Sequence, residues 1–178
     1  MSDLIEFLIK PNPNDSRLTQ KVTGKNQNRE KISMSVTVER PLTLFLNSQE
    51  IVTMMSICDH PKYLAIGYLV NQNMILPDDK ISSIDYDEEI ETVVVRTDSN
   101  TNFEAKLRKK TLTSGCAQGT VFGDLMEKFD KVQLSRDLTL KTSELYTLIK
   151  KINMAPSLYL EAGAIHGCVL CDGPKPVL

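Results

Sequence analysis

Between Ser33 and Val38 the chain alternates strictly, with Met34, Val36 and Val38 interleaved with Ser33, Ser35 and Thr37. A period of two puts the apolar side chains on one face and the hydroxyls on the other, the pattern of a half-buried strand. Far downstream the period changes. Leu145, Leu148, Ile149 and Ile152 recur at three- and four-residue steps, behind a cap at Thr142 or Ser143 and ahead of a stop at Pro156. That spacing predicts an amphipathic helix. A chain that opens with strands and then mixes helices with strands buries its sheet under helices. The expectation is a mixed α/β (α+β) fold in two lobes.

The intervening elements follow the same logic. Residues 1–31 hold Pro11, Pro13, Gly24 and many Asn, Gln and Lys, and are expected to form a mobile polar arm, with order starting near Ile32. Leu42 to Leu46 and Glu50 to Met55 read as strands joined by an Asn47-Ser48 turn. Asp59-His60-Pro61 opens a helix, with Asp59 as cap and proline in the first turn. Thr92 to Arg96 and Phe103 to Lys109 read as a hairpin, and Glu88, Glu89 and Glu91 as a solvated turn. A helix is expected from about Thr120, with a stripe of Val121, Leu125, Met126 and Phe129. Ser157 to Leu160 and Gly163 to Leu170 read as strands.

Charge and hydropathy exclude some classes. A net charge of −2 gives no reason to expect nucleic acid as a partner. The longest apolar run, Leu64 to Val70, contains a glycine and is too short to cross a bilayer. The N-terminus carries Asp3 and Glu6 where a signal peptide would carry Lys or Arg. The irregularly spaced Cys58, Cys116, Cys168 and Cys171 then suit free thiols in a reducing, cytoplasmic compartment.

The stretch Thr113-Ser114-Gly115-Cys116 carries the chemistry. Cys116 follows a glycine in a polar loop, just after Lys106-Leu107-Arg108-Lys109-Lys110 and before the helix expected at Thr120. Cations and a helix N-terminus favour thiolate, the reactive form. The alternative is an inert cysteine in a tight turn. The basic run also has two readings: attraction of an anionic ligand, or an edge strand guarded by lysines.

The segment His166-Gly167-Cys168-Val169-Leu170-Cys171 invites a metal reading. In a strand His166 and Cys168 share a face that Cys171 does not, and a fourth ligand is not in sight, so no metal site is assigned. Cys168 and Cys171 then read as small buried residues. His166 either orients a phosphate or shuttles a proton, or is a satisfied structural histidine. For Cys58 and His60, helix punctuation explains the residues.

Four motifs in order resemble one family. They are Glu39-Arg40-Pro41-Leu42-Thr43, His60-Pro61 through Leu64-Ala65-Ile66-Gly67-Tyr68-Leu69, Thr113-Ser114-Gly115-Cys116, and Gly163-Ala164-Ile165-His166. They look like the Glu-x-Pro-Leu-Thr opening, the Pro-x-x-Leu-Ala-x-Gly-x-Leu helix, the cysteine loop and the Gly-Gly-Val-His turn of the formate dehydrogenase accessory family, FdhD, a sulfur carrier. The resemblance implies a cytidine deaminase-like domain over 111–178, incomplete at its C-terminus, behind a β-rich lobe over 32–110. It implies Cys116 as persulfide carrier between a cysteine desulfurase and the molybdenum (or tungsten) bis-guanine-dinucleotide cofactor of formate dehydrogenase. Ser114, Gly115, Gly163 and His166 would contact that cofactor, and a homodimer is implied.

The chain departs from the family pattern in three ways. Cys116-Ala117-Gln118-Gly119 lacks the second cysteine of Cys-Gly-x-Cys, Gly-Gly-Val-His has become Gly163-Ala164-Ile165-His166, and the acidic Glu-Asp-Val-Gly-Arg-His-Asn segment is missing, as in a truncated member. Two other functions fit parts of the sequence: a non-catalytic docking module for desulfurase or dehydrogenase, and a zinc-dependent deaminase.

Overall fold

The computed structural model describes residues 15–76, 78–98, 110–112, 120–122, 132–133, 137, 139–155 and 157–177. The chain forms two compact units: one joins the residues up to Val38 to those from Ser135 onward, and the other is Glu39–Leu134.

In the Glu39–Leu134 unit the alternation of Leu42, Leu44 and Leu46 dictates a strand with a single dry face. β3 runs Arg40–Leu46 and pairs antiparallel with β4, Gln49–Ser56. (β1 and β2 belong to the other unit.) The Asn47-Ser48 turn holds as expected, because Asn47 takes φ +55°, which its short polar side chain tolerates. Asn47 also anchors the turn to β6, Thr92–Thr97: its Oδ1 accepts from the Thr97 N–H at 2.9 Å. β6 runs parallel to β3 on one side and antiparallel to β5, Ile81–Asp87, on the other, giving the order β4-β3-β6-β5. Both edges of β6 are therefore taken by β3 and β5; the strand expected over Phe103 to Lys109 lies outside the described residues.

Helix α1, Pro61–Asn71, begins where the proline predicts, with His60 rather than Asp59 as the capping residue. Its Ala65 and Leu69 pack with Leu42, Leu44, Leu46, Ile51, Met74, Ile75, Val93 and Val95 in one buried cluster. Leu44, Leu69, Val93 and Val95 are fully shielded from solvent, each worth about 1.5–3 kcal/mol of burial. Two short strands also belong to this unit: β7, Lys110–Leu112, pairs antiparallel with β8, Thr120–Phe122. The helix expected to start at Thr120 is thus a strand at that point.

In the other unit, residues expected as a mobile arm form structure. β1, Thr19–Lys25, pairs along its full length with β2, Lys31–Thr37. The polar tip closes itself, with Asn26 Oδ1 accepting from the N–H groups of Asn28 and Glu30 at 2.9 and 3.0 Å. An Asn-rich stretch that looks unfoldable by hydropathy is stabilised by such side-chain turns. Helix α2, Thr142–Met154, matches the predicted stripe, although of its four residues only Leu148 is fully buried. Its N-cap is Lys141, whose N–H reaches the Glu144 carboxylate at 3.1 Å. Helix α3, Leu158–Ala162, replaces the strand expected there: Ser157 caps it and Leu158 and Ala162, one turn apart, are buried. The stretch from Gly163 to Leu170 is irregular rather than a strand, and leads into the small hairpin of β9, Cys171–Asp172, and β10, Lys175–Pro176. Among the described residues, no helix is long and apolar enough to cross a membrane.

Candidate functional site

The cysteine loop is bracketed by structure on both sides. β7 ends at Leu112 and β8 begins at Thr120, and these two residues are register partners. Cys116, Ser114 and Gly115 fall between them, in residues 113–119, outside the described residues. Lys106 and Lys109 of the basic run lie outside them as well, and Lys110 opens β7. Thr120–Phe122 form a strand, so a helix does not start at Thr120 itself; residues 123–131, which follow, lie outside the described residues.

Gly163 and His166 sit on the segment that leaves α3, in the unit built from the two chain ends. Gly163 takes φ +65° and ψ −171°, a conformation open to glycine alone, and a Cβ on it would meet nothing within 4 Å. Ala164 follows at φ +53°, a left-handed residue where the family pattern has glycine. Its methyl group costs about 1 kcal/mol there. The turn is thus kept at the expense of strain. It presents His166 exposed to solvent, so an imidazole and a kinked backbone are both open to an incoming anion.

Of the thiols, Cys168 is exposed and Cys171 half-buried, against the expectation that both are buried. For Cys168 the reason is the missing strand: the irregular Gly163–Leu170 segment gives its side chain no dry face. Cys171 opens the two-residue strand β9, too short to shield it fully. Cys171 Sγ lies 3.6 Å from the Val169 carbonyl. Among the described residues no three His, Cys, Asp or Glu side chains converge as metal ligands would.

A polar cluster lies inside the Glu39–Leu134 unit. Glu91 precedes β6, and its carboxylate is only 13% exposed, not solvated as expected. It pairs with Arg40 at 2.6 Å, at the start of β3, and accepts a hydrogen bond from the Tyr86 hydroxyl on β5. Cys58 sits beside it, buried, at φ +55°. Its N–H donates to Ser56 Oγ at 3.0 Å and its Sγ lies 3.7 Å from the Ser56 carbonyl. Burial raises the Cys58 pKa above 9.0, the neighbouring Glu91 charge and hydrogen bond raise it further, and Arg40 offsets only part of this. Burial and Glu91 likewise push the Tyr86 phenol above its usual range. Burial and the neighbouring carboxylate thus both favour the protonated Cys58 thiol over the reactive thiolate. Sequence reasoning missed Glu91 as a structural carboxylate; the available signal was its place directly before the apolar run Thr92-Val93-Val94-Val95.

Comparison with known proteins gives four results. Residues 37–178 match the profile of the FdhD/NarQ family. The chain is 27% identical over 149 residues to a sulfur carrier protein FdhD of Listeria innocua, covering 82% of this chain and 57% of that protein. Against the FdhD sulfur carrier of Bacillus subtilis it is 26% identical, covering 83% of this chain and 57% of the relative. The chain thus spans somewhat over half the length of these relatives. A solved structure from Desulfotalea psychrophila, provisionally assigned as a formate dehydrogenase accessory protein, superposes with a TM-score of 0.58 at 18% identity. It covers 89% of this chain and 58% of that one, and supports the fold.

Proposed function

We propose, on the premise that this chain belongs to the FdhD/NarQ family, that it carries sulfur on Cys116 in support of formate dehydrogenase. The observation that carries this reading is the family match across residues 37–178, which includes the Cys116 loop and the Gly163–His166 turn. The site geometry supports it: β7 and β8 pair at Leu112 and Thr120, so the loop leaves and re-enters the fold at one place.

The chemistry asks little of the protein. The Cys116 thiolate attacks the outer sulfur of a persulfide on a cysteine desulfurase. A sulfur–sulfur bond forms at Cys116 as the donor's own sulfur–sulfur bond breaks, and the donor cysteine leaves as a thiolate. The carried sulfur is then passed to the molybdenum (or tungsten) bis-guanine-dinucleotide cofactor, which is cargo rather than a resident group. One cysteine suffices for this relay, which accommodates Cys116-Ala117-Gln118-Gly119. Ser114 and Gly115 would offer hydroxyl and backbone donors to that cargo. Gly163 and His166 would receive its phosphates, a role that suits their openness to solvent. We extend the reading to the organisation implied by resemblance: residues 111–178 as part of a cytidine deaminase-like domain, working in the cytoplasm as a homodimer.

Mass spectrometry tests the proposal. After incubation with a desulfurase and cysteine, intact Cys116 should gain about 32 Da, and Cys116→Ala should not. A stable complex with the desulfurase and no added mass would instead identify a docking module.

A further inference from the structure

We propose that the β1–β2 hairpin is a docking face for an acidic protein segment, independently of the sulfur-carrier reading. The hairpin register sorts its residues by chemistry. Lys21↔Ser35, Thr23↔Ser33 and Lys25↔Lys31 share one face, while Val22↔Met34 and Gly24↔Ile32 share the other. The first face is therefore cationic and rich in hydroxyls.

Three observations give that face a ligand. Lys25 and Lys31 stand directly opposite each other, an arrangement that destabilises a two-stranded ribbon unless an anion lies between them. Asp15 pairs with Arg17 at 2.7 Å, and Glu30 accepts from Asn26 Nδ2 at 2.6 Å rather than meeting a lysine. Among the described ion pairs none involves Lys21, Lys25 or Lys31. Finally, residues of both faces, Thr23, Lys25, Lys31 and Ser33 with Gly24 and Ile32, line an open depression of about 510 Å³ at this end of the ribbon.

The chemistry selects a carboxylate-bearing polypeptide. Neither strand carries an aromatic residue on which a base could stack, as single-stranded nucleic-acid grooves require. Among the described residues β1 and β2 pair in a sheet only with each other, so an incoming extended segment can add to the ribbon with its alternate side chains on the lysine face. The hairpin lies almost wholly before residue 37, where the family match begins, so the face belongs to a part of the chain outside the matched region.

Fluorescence anisotropy of the full chain with a labelled alternating Glu-Thr peptide of about six residues, the length of a strand, tests the proposal. At about 20 mM salt the peptide should bind. The Lys21→Gln/Lys25→Gln/Lys31→Gln variant should lose about tenfold in affinity, while the corresponding Arg variant and a Lys150→Gln/Lys151→Gln control retain it. Relief of the Lys25–Lys31 repulsion means the Gln variant should melt no lower than the parent; Lys31→Gln alone serves if the triple variant does not fold. Absence of peptide binding, or equal binding by the Gln variants, overturns the proposal. So does tighter binding of an oligothymidylate, which would make the face a nucleic-acid site. Self-association lost in the Gln variant without peptide binding would overturn it in favour of a second copy of this chain.

Discussion

The Glu91 carboxylate lies 2.6 Å from the Arg40 guanidinium, joining the entrance of β6 to the entrance of the parallel β3. The Glu91 carbonyl reinforces the junction by accepting from the Thr43 N–H at 2.9 Å. Because the Tyr86 hydroxyl also donates to Glu91, one carboxylate fixes three strands of the sheet.

Removing that carboxylate takes from a part-buried guanidinium and a phenol the acceptor they share. Glu91→Ala should cost about 2–3 kcal/mol, less than breaking a fully buried pair, because Arg40 is 31% exposed. Glu91→Gln, which still accepts from Tyr86, should cost less. Urea unfolding of the two variants checks the order.

Thiol accessibility separates the cysteines. Cys168 should react with a maleimide at pH 7 in the native protein, whereas Cys58 should react only after denaturant is added. Peptide mapping reads the two sites, and rapid native labelling of Cys58 would contradict the buried, protonated thiol.

Alkaline pH should weaken the fold in a defined way. Cys58 and Tyr86 hold their protons more tightly when folded than at the ordinary values of 9.0 and 10.0. The stability they contribute is whole below pH 9.0 and is lost as pH rises through the higher folded values, because the unfolded chain then binds fewer protons. Melting temperature should fall from pH 9 toward pH 11, and Cys58→Ala/Tyr86→Phe should flatten that fall.

The strained turn after α3 makes an opposite pair of expectations. Ala164→Gly relieves the φ +53° penalty and should stabilise by about 0.5–1 kcal/mol. Gly163→Ala, in a glycine-only conformation, should destabilise by at least about 1 kcal/mol. Thermal unfolding measures both.

What the sequence revealed depended on how local the cause was. Leu42, Leu44 and Leu46 announce β3 by alternation, and Pro61 announces α1, because each signal and its effect lie within a few residues. Leu158–Ala162 misled because so short an apolar run has no period; Ser157 as cap decides it. Polar composition hid the β1–β2 hairpin, whose register is set by side-chain bonds at Asn26. The parallel pairing of β3 with β6, and the burial of Glu91 against Arg40, join residues far apart in sequence, where no pattern points from one to the other. For the candidate site, Gly163 stood out as a turn residue, but the sulfur environment of Cys116 rests on the resemblance.

The sheet order has a consequence for synthesis. β3 and β4 emerge from the ribosome first, yet β6 must arrive to lie between β3 and β5, and it is made last of the four. Until Val93 and Val95 are translated, the open side of β3 is an unpaired edge beside Leu42, Leu44 and Leu46. The nascent chain therefore passes through an interval in which an apolar strand edge is uncovered, and slow decoding between Asn71 and Thr92 would lengthen that exposure.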